Sequence, residues 1–125
     1  KMSKILIAED EVLMLKALEF KLKKDGYQVE VASDGRQAME KVKSNTYDLI
    51  LTDIMMPFVG GMEILSYIKN DPIKKSTPVL LISAVGLENV VLEGFHLGAD
   101  DFIYKPFNLN ELSVRIKRYI KQNVF

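Results

Sequence analysis

The chain contains no cysteine, which excludes disulfide bridges, thiolate metal sites and a cysteine nucleophile. Its 17 basic and 17 acidic side chains cancel, so no net charge attracts nucleic acid or an anionic membrane. We therefore expect no direct nucleic acid binding by this domain, because that would need another domain or a local basic patch. No apolar run approaches the roughly 20 residues that span a bilayer, and the residues before Ile5 are too few for a signal peptide. These absences favour a cytoplasmic protein without membrane contact.

The sequence does contain enough apolar material for one hydrophobic core. Its 125 residues fall in the size range of one domain, and 48% of them are hydrophobic. No internal repeat, low-complexity tract or interdomain linker interrupts the chain. We interpret residues 1–125 as a single domain.

Short apolar runs alternate with segments of helical periodicity. Residues 5–8 are wholly apolar and are followed by acids, which is typical of a strand buried on both faces. In the next segment Leu15, Leu18 and Leu22 recur at three- and four-residue steps, which predicts a helix. The same reasoning predicts strands at residues 5–8, 28–32, 47–53, 79–83 and 102–104. It predicts helices at residues 11–24, 36–43, 62–70, 87–96 and 109–122, the last with Asn108 as its cap.

The alternation of five strands with five helices predicts a parallel sheet that is covered by helices on both faces. Right-handed crossovers leave few topologies, and the strand order 2-1-3-4-5 is the natural one for five such units. The predicted fold class is α/β, a flavodoxin-like, doubly wound (βα)5 sandwich.

Polar side chains follow the ends of the predicted strands. In doubly wound sheets, ligands bind outside the carboxyl ends of the strands, near the reversal of strand order. The first and third strands flank that point and lead to Glu9, Asp10 and Asp53. The neighbouring strands lead to Ser83 and Lys105. We predict that three carboxylates, one hydroxyl and one amine converge on a single rim.

Such a rim favours a hard cation. Crowded carboxylates repel one another unless a cation joins them, and Mg²⁺ binds carboxylates, waters and phosphate oxygens. Asp53 is then a candidate nucleophile for aspartyl phosphate formation, with Lys105 and Ser83 as candidates to contact the phosphoryl group. No glycine-rich nucleotide cradle accompanies these residues, which argues against direct use of ATP or NAD.

Four sequence blocks resemble those of the receiver domains of response regulators in two-component signal transduction. They are KILIAEDE at residues 4–11, DLILTDIMMP at 48–57, PVLLISA at 78–84 and GADDFIYKPF at 98–107. Their order and spacing are far more specific than any one block alone. The similarity covers nearly the whole chain.

The resemblance implies a role for the acids. Asp53 would be the phosphoacceptor, and Glu9 and Asp10 would be the acid pair that holds Mg²⁺ directly or through water. The backbone carbonyl of Met55 would be a further metal ligand.

The resemblance also implies which residues respond to the phosphoryl group. Ser83 matches the switch hydroxyl, Phe102 the switch aromatic and Lys105 the phosphate-binding lysine. Pro106 matches a proline that follows a cis peptide bond. On the residues alone, Ser83 has the alternative role of a cap and Phe102 that of an ordinary core residue.

Three departures from the family pattern bear on the site. The loop after Asp53 carries Val59-Gly60-Gly61 where Met-Asp-Gly is usual, which changes its stiffness and removes one exposed charge. The switch hydroxyl is Ser83 rather than the commoner threonine. Met55 and Val85 are apolar at positions that are often polar, so we expect them to alter the access of hydrolytic water.

The implied function is a signalling switch. It would take a phosphoryl group from a phosphohistidine on a sensor histidine kinase or histidine phosphotransfer protein. Such a domain is not a metabolic enzyme, although it weakly catalyses its own phosphorylation and dephosphorylation. Its output face, formed by the fourth helix, fifth strand and fifth helix, would act on a C-terminal output domain or a downstream protein.

Three other functions suit the same fold. A phosphatase with an aspartate nucleophile tends to carry a second acid two residues later, where this chain has Met55. A flavin-binding module would need a hydroxyl-rich phosphate loop after the first strand, where Glu9-Asp10-Glu11 would repel phosphate. A pseudo-receiver that only docks partners would not need the complete acid trio and Lys105.

The charges of the output face resemble those that pair across a two-fold dimer in many relatives. They are the acids Asp100 and Asp101 and the bases Arg115 and Arg118. The fourth helix is expected to expose Val90 and Val91 where a base is usual. Because exposed ion pairs contribute only about 0–1 kcal/mol each, we expect a monomer or a weak phosphorylation-dependent dimer.

Overall fold

The computed structural model describes residues 2–84 and 88–120. Val85, the predicted beginning of the fourth helix at Leu87 and the predicted end of the last helix at Gln122 lie outside these residues.

Strands and helices alternate throughout the described residues. In chain order they are β1 (Lys4–Ala8), α1 (Val12–Lys24), β2 (Gln28–Ala32), α2 (Gly35–Ser44), β3 (Leu49–Asp53), α3 (Gly61–Asn70), β4 (Val79–Ala84), α4 (Glu88–His96), β5 (Asp101–Lys105) and α5 (Leu109–Tyr119). Every predicted element is present with small shifts at its ends. Asn108 caps α5 as predicted, since its side chain accepts hydrogen bonds from the N–H groups of Asn110 and Glu111.

The beginning of β3 differs from the prediction. The strand begins at Leu49 rather than at residue 47. The Asp48 carboxylate accepts a hydrogen bond from the Lys4 N–H at 2.7 Å, and the Tyr47 hydroxyl donates one to Glu30 at 2.7 Å. The side chains of Tyr47 and Asp48 therefore hold this segment against β1 and β2 through hydrogen bonds just before β3 begins.

All strand pairs are parallel, in the order β2-β1-β3-β4-β5. This order confirms the predicted topology. The register aligns Ala8 with Thr52, Asp53 with Ile82 and Ser83 with Tyr104. As a result, the polar residues at the ends of four strands reach the same edge of the sheet.

Helices cover both faces of the sheet, and alternate residues of the strands point to opposite cores. One core contains Leu6, Ile50 and Leu81 with side chains of α2 and α3, such as Val42 and Ile64. The other contains the neighbouring strand residues and apolar side chains of α1 and α5: Ile5, Ile7, Leu49, Leu51, Leu18, Leu22, Leu112 and Ile116. Because full burial of one such side chain stabilises by roughly 1.5–3 kcal/mol, these two layers hold the sandwich together. Across residues 2–84 and 88–120, no helix combines the length and apolarity that crossing a bilayer requires.

Candidate functional site

Three carboxylates meet at the carboxyl edge of the sheet. Glu9 follows β1 and is completely buried, Asp53 ends β3 and is 6% exposed, and Asp10 is exposed. One oxygen of each of the three side chains lies within 4.8 Å of the others. The structure therefore brings together the three acids that the sequence singled out.

Backbone N–H groups orient two of these acids. The Glu11 N–H donates to Glu9 Oε2 at 3.0 Å, and the Met55 N–H donates to Asp53 Oδ1 at 3.3 Å. The Glu9 N–H itself donates to the Ala32 carbonyl at 3.1 Å, which continues the pairing of β1 with β2 by one residue. The side chains are thus held by backbone that is itself fixed by the sheet.

Lys105, at the end of β5, reaches across to the acids. Its Nζ donates to Asp53 Oδ2 at 2.8 Å and lies 3.2 Å from Glu9 Oε1. The Lys105–Pro106 peptide bond is cis, as the resemblance implied. The lysine side chain is 29% exposed, so the cation is available at the surface while it contacts both buried acids.

The crowding of charges changes the acidity of this group. Burial, reinforced by the Asp53 carboxylate, raises the pKa of Glu9 from 4.5 to about 7, although the hydrogen bond from the Glu11 N–H and the nearby Lys105 ammonium act to lower it. Burial by itself lowers the pKa of Lys105, but the Asp53 carboxylate, followed by Glu9, outweighs this effect and raises it. The charged form of Glu9 is therefore costly at this position unless a cation offsets its charge.

One buried oxygen supports a metal at this position. Glu9 Oε1 has no hydrogen-bond partner within the described part of the chain, despite its ion pair with Lys105. Buried polar atoms are normally satisfied, and a hard dication with oxygen ligands would satisfy this one. The donor set of Glu9, Asp10 and Asp53 fits such an ion.

A cleft of about 360 Å³ opens above these groups. Its lining residues come from all four strand ends and are Asp10, Glu11, Asp53, Ile54, Met55, Ser83, Ala84 and Lys105. Ser83 is 2% exposed, and its hydroxyl donates to the Ala84 carbonyl at 3.1 Å. Glu9 is not part of the lining, and its side chain is completely buried.

Phe102 lies away from the cleft. It is 4% exposed and packs in the core on the α4 side of the sheet. Its ring contacts Phe95, with 4.9 Å between the ring centroids and an angle of 57° between the planes. The predicted switch aromatic is therefore buried in this structure, one strand away from Ser83.

Sequence reasoning missed two glycines that shape the loop after Asp53. A Cβ on Gly61 would overlap with the Asp53 carbonyl, and a Cβ on Gly35 would overlap with the Val59 carbonyl. The loop is therefore pressed between the beginnings of α2 and α3. In the sequence, Gly60 and Gly61 indicate only a change in the stiffness of the loop, whereas glycine is also used where two backbone segments approach closely.

A family model for the response regulator receiver domain matches residues 5–117. The chain belongs to this family. Among relatives of this receiver domain, the response regulator ArlR of Staphylococcus saprophyticus is 40% identical over 121 residues, which cover 97% of this chain and 54% of the relative. The receiver domain thus spans about half the length of the curated relatives that it matches.

Solved structures agree with the fold. A putative response regulator from Chloroflexus aurantiacus superposes on this receiver domain with a TM-score of 0.90 and 30% identity, covering 98% of this chain and 100% of that one. The receiver domain of a sensor histidine kinase from Pseudomonas aeruginosa gives a TM-score of 0.86 and 28% identity, covering 96% and 98%. In that protein a magnesium ion is coordinated in the active site cleft. The general function of the family, a phosphorylation switch in two-component signal transduction, therefore applies to this domain.

The predicted output face differs from the expectation in its apolar residues. Val90 and Val91 are partly buried against the core, so the expectation that α4 exposes them is wrong. The exposed apolar side chains of α4 are Leu92, at 67%, and Phe95, at 49%. The difference arises because α4 turns the two valines towards the sheet.

The acids of the output face have partners within the chain. Asp101 forms an ion pair with Arg115 at 3.2 Å, and Asp100 forms one with Lys69 at 3.1 Å. These contacts would compete with pairing across a dimer.

Proposed function

We propose that this receiver domain accepts a phosphoryl group on Asp53 from a phosphohistidine of a sensor histidine kinase or a histidine phosphotransfer protein, in the presence of Mg²⁺. The observation that carries the proposal is the arrangement around Asp53. Its carboxylate is almost buried, lies at the floor of a cleft and accepts hydrogen bonds from Lys105 and the Met55 N–H.

Glu9, Asp10, Asp53 and the backbone carbonyl of Met55 would hold the ion. When bound, Mg²⁺ offsets the negative charge of the phosphoryl oxygens and of the crowded acids. The unsatisfied oxygen of Glu9 supports this assignment, as does the magnesium in the receiver domain from Pseudomonas aeruginosa.

The transfer exchanges one bond to phosphorus for another. A carboxylate oxygen of Asp53 forms a bond to phosphorus while the bond between phosphorus and the imidazole nitrogen breaks. The electron pair of that bond stays on the imidazole. Lys105 offsets the charge of the carboxylate before the reaction and can contact a phosphoryl oxygen afterwards, because its Nζ already lies 2.8 Å from Asp53 Oδ2.

Ser83 and Phe102 would report the reaction to the output face. Ser83 lines the cleft, and its hydroxyl donates a hydrogen bond to the Ala84 carbonyl. By rotating, the hydroxyl can donate to a phosphoryl oxygen instead. Phe102 lies on the adjacent strand beneath α4. The phosphoryl group shifts this arrangement only by its differential interaction with two positions of these residues.

Met55 bears on the lifetime of the phosphoryl group. Its side chain is 73% exposed and lines the cleft. An apolar side chain there neither orients nor activates water, so self-dephosphorylation is expected to be slow. This weak self-phosphorylation and self-dephosphorylation would be the only catalysis of the domain.

The proposal also includes the partner that receives the signal from this domain. The greater length of the curated relatives supports an output domain, or failing that a downstream protein, that responds to α4, β5 and α5. The domain would work in the cytoplasm as a single unit over residues 1–125, as a monomer or weak phosphorylation-dependent dimer, without binding nucleic acid or membrane itself.

Acetyl phosphate with Mg²⁺ tests the proposal directly. Intact-mass spectrometry should show one added phosphoryl group that is stable to acid and labile to base, and EDTA should prevent its addition. Asp53→Asn should abolish it, whereas Asp48→Asn, at the other end of β3, should not. Unchanged modification of Asp53→Asn would contradict the site assignment.

A further inference from the structure

Helix α4 contacts Phe102 through a residue that has no side chain. Gly94 is the one buried residue of α4. A Cβ atom on Gly94 would overlap with Phe102 Cζ, and would lie 3.0 Å from Cε2 of the same ring and 3.2 Å from Leu81 Cδ1. The ring therefore fills the space that any other residue at this position would need.

The backbone conformation of Gly94 does not itself require glycine. Positive φ angles, which favour glycine, occur at Gly26 and Gly98 among the described glycines, and not at Gly94. Glycine is a poor helix former, second only to proline, and Gly94 lies in the last turn of α4, which ends at His96. Glycine at this position lowers the stability of the helix but allows a close contact with β4 and β5. We call the contact of Gly94 with Phe102 and Leu81 the notch.

The notch links α4 to the strands that carry the phosphate-responsive residues. Leu81 pairs with Phe102 across β4 and β5, and Ser83 pairs with Tyr104 two residues further along the same strands. On the outer side, Phe95 follows Gly94 in the helix, is half exposed and stacks at a tilt against Phe102. A movement of the ring would meet the helix backbone on one side and an output-face side chain on the other.

We propose that Gly94 is a positioning residue of the switch, because the absence of its Cβ lets α4 close directly on the Phe102 ring. The ring then cannot change position without a displacement of α4. Packed interiors transmit such displacements because they cannot be compressed. The displacement appears at Leu92 and Phe95, the exposed apolar side chains of α4. This inference rests on the proposed function, in which Phe102 responds to a phosphoryl group on Asp53.

A double-mutant cycle tests the contact itself. Gly94→Ala is compared in the natural chain and in Phe102→Leu, which removes the Cε and Cζ atoms of the ring. In the natural chain we expect the ratio of folded to unfolded protein to fall by about tenfold, because the added methyl overfills the notch. In Phe102→Leu the same change should raise that ratio by up to roughly fivefold, since alanine is the better helix former. Urea denaturation measures both.

Asn89→Ala is the control for a change of helix composition, because Asn89 is exposed on α4. Its effect should be the same in both backgrounds. An equal effect of Gly94→Ala in both backgrounds would overturn the proposal. If Gly94→Ala alone does not fold, recovery of folding in the double variant supports the notch, and failure of the double variant overturns it.

The response to phosphorylation tests the coupling. Samples of the natural chain and of Gly94→Ala are treated with acetyl phosphate and Mg²⁺, and phosphoryl uptake is measured by intact mass. We expect uptake within about twofold of the natural chain, because Gly94 does not line the cleft. The shifts of the α4 and β5 amide signals in nitrogen–proton spectra should fall below about half of their natural size.

The two proposals fail in different ways. Normal uptake by Gly94→Ala with the full amide response would overturn the role of Gly94 and leave phosphorylation of Asp53 intact. Absence of uptake in the natural chain would overturn the proposed function, and the denaturation cycle would still decide whether Gly94 forms the notch.

Discussion

Two regions of the molecule each bury one central residue, but in different surroundings. At the carboxyl edge of the sheet the surroundings are charged, whereas between α4 and β5 they are apolar and closely packed. At the edge, Glu9 is completely buried among charged groups and has a pKa raised to about 7. Beneath α4, Phe102 is 4% exposed and is fitted by shape against Gly94 and Phe95. The first region therefore responds to charge, and the second responds to volume. A phosphorylation switch needs both, because an added charge has to become a displacement.

The largest effect should come from removing the Phe102 ring between α4 and β5. Phe102→Ala removes a buried ring, and such changes cost about 3–5 kcal/mol in the free energy of unfolding. Phosphoryl uptake by the folded fraction should persist, since Phe102 does not line the cleft. Urea denaturation and intact-mass spectrometry measure the two quantities. Loss of uptake in folded protein would show that the two regions cannot be separated in this way.

The second largest effect should come from removing the Lys105 ammonium group at the carboxyl edge of the sheet. Lys105→Met leaves Asp53 without its hydrogen bond from Nζ, and we expect phosphorylation by acetyl phosphate to slow by about 100-fold. Lys69→Met is the matched control, because Lys69 pairs with Asp100 outside the cleft. Time courses of phosphoryl uptake at neutral pH compare the two. Equal rates for both variants would remove Lys105 from the site.

A smaller effect should appear in the pH dependence of stability. The pKa of Glu9 is raised from 4.5 to about 7 in the folded chain, so the folded state holds an extra proton between these values. The free energy of unfolding should therefore fall as the pH rises from 4.5 to about 7, by about 1–3 kcal/mol. Glu9→Gln should flatten this slope, and Mg²⁺ should oppose the loss at neutral pH. A slope that Glu9→Gln leaves unchanged would assign it to another group.

The smallest effect should come from the exposed ion pairs of the output face. Arg115→Ala breaks the contact with Asp101 and should change the free energy of unfolding by at most about 1 kcal/mol. Sedimentation should show a monomer at micromolar concentration, and at most a weak, salt-sensitive dimer with beryllofluoride and Mg²⁺. A tight dimer that ignores salt and persists in Arg115→Ala would show that the face is used differently.

The regular parts of the molecule were accessible from the sequence. Apolar runs and helical periodicity predicted the five strands, the five helices and the strand order, because parallel strands buried on both faces leave a strong pattern. The convergence of Glu9, Asp10, Asp53, Ser83 and Lys105 followed, since it depends only on where the strands end.

Other features depend on contacts that no local pattern records. The contact between the buried Glu9 and Lys105 joins the ends of β1 and β5, which are not neighbours in the sheet. The orientation of Val90 and Val91 depends on how α4 is rotated on the sheet. The close approaches at Gly35 and Gly61 depend on the path of a loop between two helices. Each is set by tertiary packing between segments that are distant in sequence.

The strand order also fixes when the site becomes complete as the chain grows from its N-terminus. The three acids are all present once β3 has been made, and the pairing of β1 with β3 brings them together. Lys105 follows 52 residues after Asp53. A nascent chain that ends before β5 would therefore carry three mutually repelling carboxylates without the lysine that contacts them. When β5 takes its place beside β4, its buried residues Phe102 and Ile103 extend the two cores, and Lys105 offsets one of the three negative charges.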